Sequence, residues 1–104
     1  MVIVISGNYH QFEDFMREHW DYLNAHGFSR HDFRYASTPR DIAGFQDFDI
    51  VYVGTYYRDN PLWKTTDGFD CLVSRFKYKK FPWPEETDIH SIVRAHIYAR
   101  NKMW

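Results

Sequence analysis

VIVISGNYHQFED, residues 2–14, decides the fold class. The run Met1–Ser6 is apolar and β-branched without alternation. It offers solvent no polar face, so it predicts a strand covered on both sides, as in a parallel sheet. One glycine, Gly7, follows. Asn8 then precedes Gln11 by three residues, an approximate capping box, with Glu13 and Asp14 in the first turn, where the helix dipole favours acids. Phe12, Phe15, Met16, His19, Leu23 and His26 recur at helical spacing, and Gly27 supplies a C-terminal cap. The pattern predicts a helix over 9–26.

Working outward, Phe33–Ala36 predicts a short second strand. Thr38-Pro39-Arg40-Asp41 places a capping hydroxyl before a proline at the first helical position, which predicts a short helix over 39–43 ending at Gly44. Asp49–Gly54 (DIVYVG) is the third strand. The order βαβαβ requires crossovers between parallel strands. Val2–Ile5 and Ile50–Val53 are expected as adjacent parallel strands, in strand order 2-1-3 or 3-2-1. Asn60-Pro61 breaks the chain. Asp67-Gly68 opens a helix with Phe69, Leu72, Val73 and Phe76 on one stripe. Phe81-Pro82-Trp83-Pro84 is excluded from helix interior, because each proline disfavours helical backbone before it. Thr87 opens a last helix carrying Ile89, Ile92, Val93, His96 and Ile97. The expected architecture is a small three-layer, Rossmann-like α/β domain over residues 1–104. Its βαβαβ core spans 1–58 with a three-stranded parallel sheet, and 59–104 add a loop and two C-terminal helices.

Aromatic residues make up 20% of the 104, a share that argues against disorder and that exceeds what one small core holds. Some are therefore expected at the surface, where Tyr and Trp mark contact sites. The lone cysteine, Cys71, excludes an internal disulfide and fits a reducing compartment. The short first strand has no basic start and no cleavage site after it, so neither a signal peptide nor a membrane span is expected, and the expected location is cytoplasmic. Residues 1–60 carry five Lys/Arg against nine Asp/Glu, and 61–104 carry eight against five. This polarity speaks against a generally basic nucleic-acid binder and allows a local basic patch in the C-terminal half.

No catalytic motif emerges. Ser6 and Ser37 lack a nucleophile-elbow context, and His10 lies in a first helical turn. The histidine pairs His19/His26 and His90/His96 lack the i, i+4 spacing that brings two ligands to one metal, so no metal and no cofactor are expected. The Ser6-Gly7-Asn8-Tyr9 junction has too few glycines for a dinucleotide or P-loop cradle, and a tight turn explains it. The parallel sheet nevertheless gathers three strand ends on one edge, where ligands of open α/β folds bind. Ser6, Gly7, Asn8, Tyr9, Ser37, Thr38, Arg40, Thr55, Tyr56 and Arg58 form that candidate rim. If it holds an anion, Arg40 and Arg58 should point to the Ser6–Tyr9 turn. Arg75-Phe76-Lys77-Tyr78-Lys79-Lys80-Phe81-Pro82-Trp83 interleaves cations and aromatics. A helix end explains Lys77 and Lys79. Arg75, Lys79, Lys80, Phe81 and Trp83 are candidate partner contacts, with Phe81 and Trp83 expected to be partly exposed.

Ile5-Ser6-Gly7-Asn8-Tyr9-His10-Gln11-Phe12 and Val51-Tyr52-Val53-Gly54-Thr55-Tyr56-Tyr57 resemble segments of small uncharacterised bacteriophage proteins, especially of phages infecting actinobacteria. Those proteins join a GNY-x-Q-F opening to a VxVGT-aromatic-Y third strand in a Rossmann-like core. The resemblance covers about residues 1–58. It implies a phage protein acting in the host cytoplasm, and no catalytic residue carries over. The expected function is a small interaction protein that binds a host macromolecule, a host protein above all. The alternative is a nucleotide- or phosphate-binding domain using the rim. An enzyme acting on a phosphorylated small molecule comes third.

Overall fold

All five residues of β1 (Val2–Ser6) are buried, at the centre of a three-stranded parallel sheet, in this computed structural model, which describes residues 1–102. β2 (Phe33–Tyr35) flanks β1 on one side and β3 (Asp49–Val53) on the other, in the order β2-β1-β3. Val2 stands opposite Phe33 and Asp49, and Ser6 opposite Val53. The first of the two expected orders is thus the one formed, and Val2–Ile5 and Ile50–Val53 are adjacent and parallel.

The alternation of side chains along a strand divides the core in two. Val2, Val4 and Val51 face a cluster built with Phe12, Phe15, Met16 and Leu23 of α1 (Tyr9–Ala25) and with Ile89, Ile92 and Val93 of α6 (Ile89–Lys102). Ile3, Ile5 and Ile50 face the other cluster, with Ile42 of α2 (Pro39–Ile42), Leu62 of α4 (Pro61–Lys64), Leu72 of α5 (Thr66–Ser74) and Phe81. Helices therefore cover both faces, which is why β1 contains no polar position before Ser6.

Local chemistry sets the ends of α1. The Asn8 side-chain oxygen accepts from the Gln11 backbone N–H at 2.9 Å. At the other end the Gly27 N–H donates to Asn24 O and the Phe28 N–H to Leu23 O, both at 3.1 Å, and Phe28 packs in the same cluster as Leu23. This is the paired-bond helix stop that satisfies two orphan carbonyls.

The segment after β3 differs from the expectation. Two short helices, α3 (Tyr56–Asp59) and α4, occupy what reads in the sequence as a break. Asn60-Pro61 does end α3, but it also starts α4: the Asn60 side-chain oxygen accepts from the Leu62 N–H at 2.9 Å, and Pro61 takes the first helical position. Thr65 rather than Asp67 caps α5, its hydroxyl oxygen accepting from the Gly68 N–H. α6 begins after Asp88, whose carboxylate accepts from the His90 N–H, one residue beyond the expected Thr87. Among the described residues no helix is long and apolar enough to cross a membrane.

Candidate functional site

Parallel pairing brings the carboxyl ends of β1, β2 and β3 to one edge. The chain leaves β1 toward β2 on one side and reaches β3 on the other, so the order reverses at β1. In open α/β sheets the crevice at such a reversal is the usual ligand position. Here a side chain of the protein itself fills it. The Gln11 Oε1 accepts from the Gly7 N–H at 2.8 Å and from the Thr55 N–H at 3.1 Å. The Gln11 Nε2 donates to the Thr55 hydroxyl oxygen at 2.9 Å, and that hydroxyl donates to the Asp59 carboxylate at 2.7 Å. The donors run in one consistent direction, two N–H groups onto Oε1 and Nε2 through the Thr55 hydroxyl to the Asp59 carboxylate, so the network needs no added proton.

The backbone is shaped around that carboxamide. Gly54 has φ +60°, and a Cβ there or at Gly7 would collide with the Gln11 side chain. Glycine at both positions lets the two loops approach close enough for one oxygen to collect both amides.

Asn60 performs the matching task between β1 and β2. It is fully buried, and its Nδ2 donates to Ser6 O at 2.6 Å and Ala36 O at 2.9 Å. With its Oδ1 on the Leu62 N–H, both ends of its amide are satisfied. Ser6, equally buried, donates its hydroxyl to Asn8 O at 2.7 Å.

The rim residues expected from the sequence lie at this edge, but most are engaged by neighbouring side chains of the protein itself. Gly7 and Thr55 are bound by Gln11, and Asn8 caps α1. The Ser37 and Thr38 N–H groups both donate to the Asp41 carboxylate. Burial, the largest single influence on that carboxyl, pushes it up; the bonds from Ser37 and Thr38 outweigh it and hold it below the usual carboxylate value. Tyr56 packs on Tyr52, Tyr57 and Trp63. Tyr9 is exposed and meets Phe12 and Tyr35 edge-on. The two arginines do not converge on the Ser6–Tyr9 turn. Arg58 bonds Asp59 through Nε at 3.2 Å, a contact that, with the Thr55 hydroxyl, holds the Asp59 carboxyl down. The Arg40 side chain makes no hydrogen bond or ion pair among the described residues. Gln11 and Asn60, which organise the edge, read in the sequence only as a capping position and a chain break. Nothing local announces that Gln11 reaches a residue 44 positions away.

The expected contact segment is corrected at one residue. Phe81 is 8% exposed and belongs to the core, packed against Trp63, Phe69 and Phe76. The Tyr52 hydroxyl donates to Pro82 O at 2.7 Å, which anchors the segment against the sheet and directs the Phe81 ring inward. Burial raises the Tyr52 phenol well above its usual value, so this donor stays protonated. Trp83, at 40% exposed, lies over Trp63, Phe69 and Phe81 and reaches the surface. Tyr56 links Trp63 to Tyr57, which is 59% exposed, so one aromatic array runs from the core to two surface outlets. Arg75 is exposed, while Lys79 pairs with Asp47 at 2.6 Å and Lys80 with Glu86 at 2.7 Å.

Among the described residues no three His, Cys, Asp or Glu side chains gather as a metal site. Comparison with protein-family models, curated proteins and solved structures gave no match.

Proposed function

We propose that this protein is a small macromolecule-binding domain of Rossmann-like architecture that makes its contacts through the outer surface of its helical layer. The β2-β1-β3 order, with its reversal at β1, supports the Rossmann-like reading. The carrying observation for the function is the self-occupied strand edge: Gln11 takes the two loop amides that a small anionic ligand needs. Meanwhile Trp83 and Tyr57 expose aromatic surface backed by a packed array. Rigid aromatic anchors on a packed base are what interface centres are made of, because they bury large area at low entropic cost. The likeness of the Ile5–Phe12 and Val51–Tyr57 segments to phage proteins supports a phage product acting on a host macromolecule, with the host cytoplasm as its setting.

The test is capture from an actinobacterial lysate by immobilised protein, with quantification across variants. Trp83→Ala and Tyr57→Ala should each lower recovery of the captured component at least fivefold while Gln11→Ala leaves it unchanged. Equal recovery by all three, or loss with Gln11→Ala alone at a temperature where that variant is folded, overturns the reading.

The phosphate-ligand alternative keeps one observation in its favour, the convergence of Gly7 N–H and Thr55 N–H on one oxygen. It requires Gln11 to leave. Inorganic phosphate should then raise the melting temperature of Gln11→Ala but not that of the wild type.

A further inference from the structure

The surface opposite in character to the strand edge is a cleft of about 320 Å³ between the loop that leads into β3 and the segment that follows α5. Phe45 lines it from the first segment, and Arg75, Lys77, Tyr78 and Lys79 from the second. Tyr78 is 89% exposed, the most exposed of the large hydrophobic side chains among the described residues. Such a ring contributes nothing to the core and leaves its face free to meet a ligand. Among the described residues, neither Arg75 nor Lys77 pairs with a carboxylate, whereas Lys79 is neutralised by Asp47. The Lys77 ammonium lies 5.5 Å from the Tyr78 ring centroid, so charge and aromatic face are presented together.

We infer that the Phe45–Tyr78 cleft binds single-stranded nucleic acid, with Tyr78 stacking on a base and Arg75 and Lys77 neutralising flanking phosphates. Three features favour this ligand. A flat, solvated ring suits base stacking, which every base can supply. Two uncompensated cations beside it suit a backbone that carries a charge per nucleotide. The opposing field is weak: the C-terminus of α5 offers about half a negative charge, against two full positive ones. The chain's net charge of −1 hides this local surplus, which is why composition alone spoke against nucleic acid. An acidic protein segment would satisfy the same cations, and polyglutamate, which supplies carboxylates without a flat base to stack, separates the two.

The proposal rests on the reading of the protein as a macromolecule-binding domain, and the two fail separately. A lysate partner captured through Trp83 and Tyr57 sustains that reading even where no oligonucleotide binds.

The experiment is fluorescence anisotropy of a labelled ten-residue oligo(dT) against the full chain, from 20 to 300 mM salt (values on the order of those that resolve counterion release). Binding should weaken with salt, with a log–log slope of about −1.4 for two phosphates. Arg75→Ala/Lys77→Ala should abolish most of that slope. Tyr78→Ala should weaken binding by roughly five- to 150-fold, the range for loss of one base stack, and Tyr78→Phe, which keeps the ring, should restore it. All three positions are exposed, so melting temperatures should not move. Absence of binding at the lowest salt, indifference to Tyr78→Ala, or equally tight binding of polyglutamate overturns the proposal, the last in favour of an acidic protein partner.

Discussion

Gln11 and Thr55, 44 residues apart, are joined by two hydrogen bonds: the Thr55 N–H donates to the Gln11 Oε1 at 3.1 Å, and the Gln11 Nε2 donates to the Thr55 hydroxyl at 2.9 Å. With Gly7 as the third partner, this carboxamide ties the loop after β1 to the loop after β3. Gln11→Ala removes three bonds and leaves two loop N–H groups to water. At about 1 kcal/mol per bond, partly recovered by solvation, the loss should be about 2 kcal/mol, or roughly 10 °C in melting temperature for a chain of this size. Thermal denaturation followed by circular dichroism checks it. A variant that melts with the wild type would show that the two loops hold their positions without Gln11.

Asn60 should matter more, because its partners cannot turn to water. Asn60→Ala strands the Ser6 and Ala36 carbonyls and the Leu62 N–H, and should cost about 2–4 kcal/mol. Asn60→Asp is the sharper probe. It keeps the size but turns a donor into an oxygen facing two carbonyl oxygens. The introduced carboxyl should gain stability as the pH falls and protonation restores a donor, opposite to the wild-type trend. Urea unfolding at pH 7 and pH 4.5 compares them.

Phe81 and Trp83 are two positions apart but should separate cleanly by stability. Phe81→Ala opens a cavity in the second cluster and should cost about 3–4 kcal/mol. Trp83→Ala removes a ring that already meets solvent and should cost about 2 kcal/mol, less than Phe81→Ala because only part of its area is buried. Equal losses would place Trp83 in the core and remove the surface outlet on which the proposed function depends.

Asp41 should lend α2 an acid-sensitive stability. Its carboxylate accepts from the Ser37 and Thr38 N–H groups at 2.9 and 3.0 Å, and its folded value lies below the ordinary one. A carboxyl so depressed contributes above the unfolded value of about 4, and the contribution is lost as the pH falls through the lower folded value. The stability gap between wild type and Asp41→Asn should therefore be largest near pH 7 and shrink toward pH 3. Chemical denaturation at both pH values measures it, and a constant gap would exclude Asp41 from the pH response.

What could be read from the chain alone were the features that near neighbours decide. The unbroken apolar run Val2–Ile5 demands cover on both faces, and helical spacing from Phe12 to Leu23 supplies one of the covering stripes; both follow from side-chain periodicity. Caps at Asn8 and Thr38 act within three residues and were equally legible. The roles of Gln11, Asn60 and Phe81 were not. Gln11 and Asn60 bond groups up to 44 and 54 residues away, and which polar group meets which depends on how three strand ends are brought together. Phe81 goes inward and Trp83 partly outward because a hydroxyl on β3 holds the carbonyl of Pro82 between them. Local spacing sets which residues form strands and helices, but the satisfaction of buried polar groups is a property of the assembled edge, so only the tertiary structure could show that the crevice at β1 is already filled.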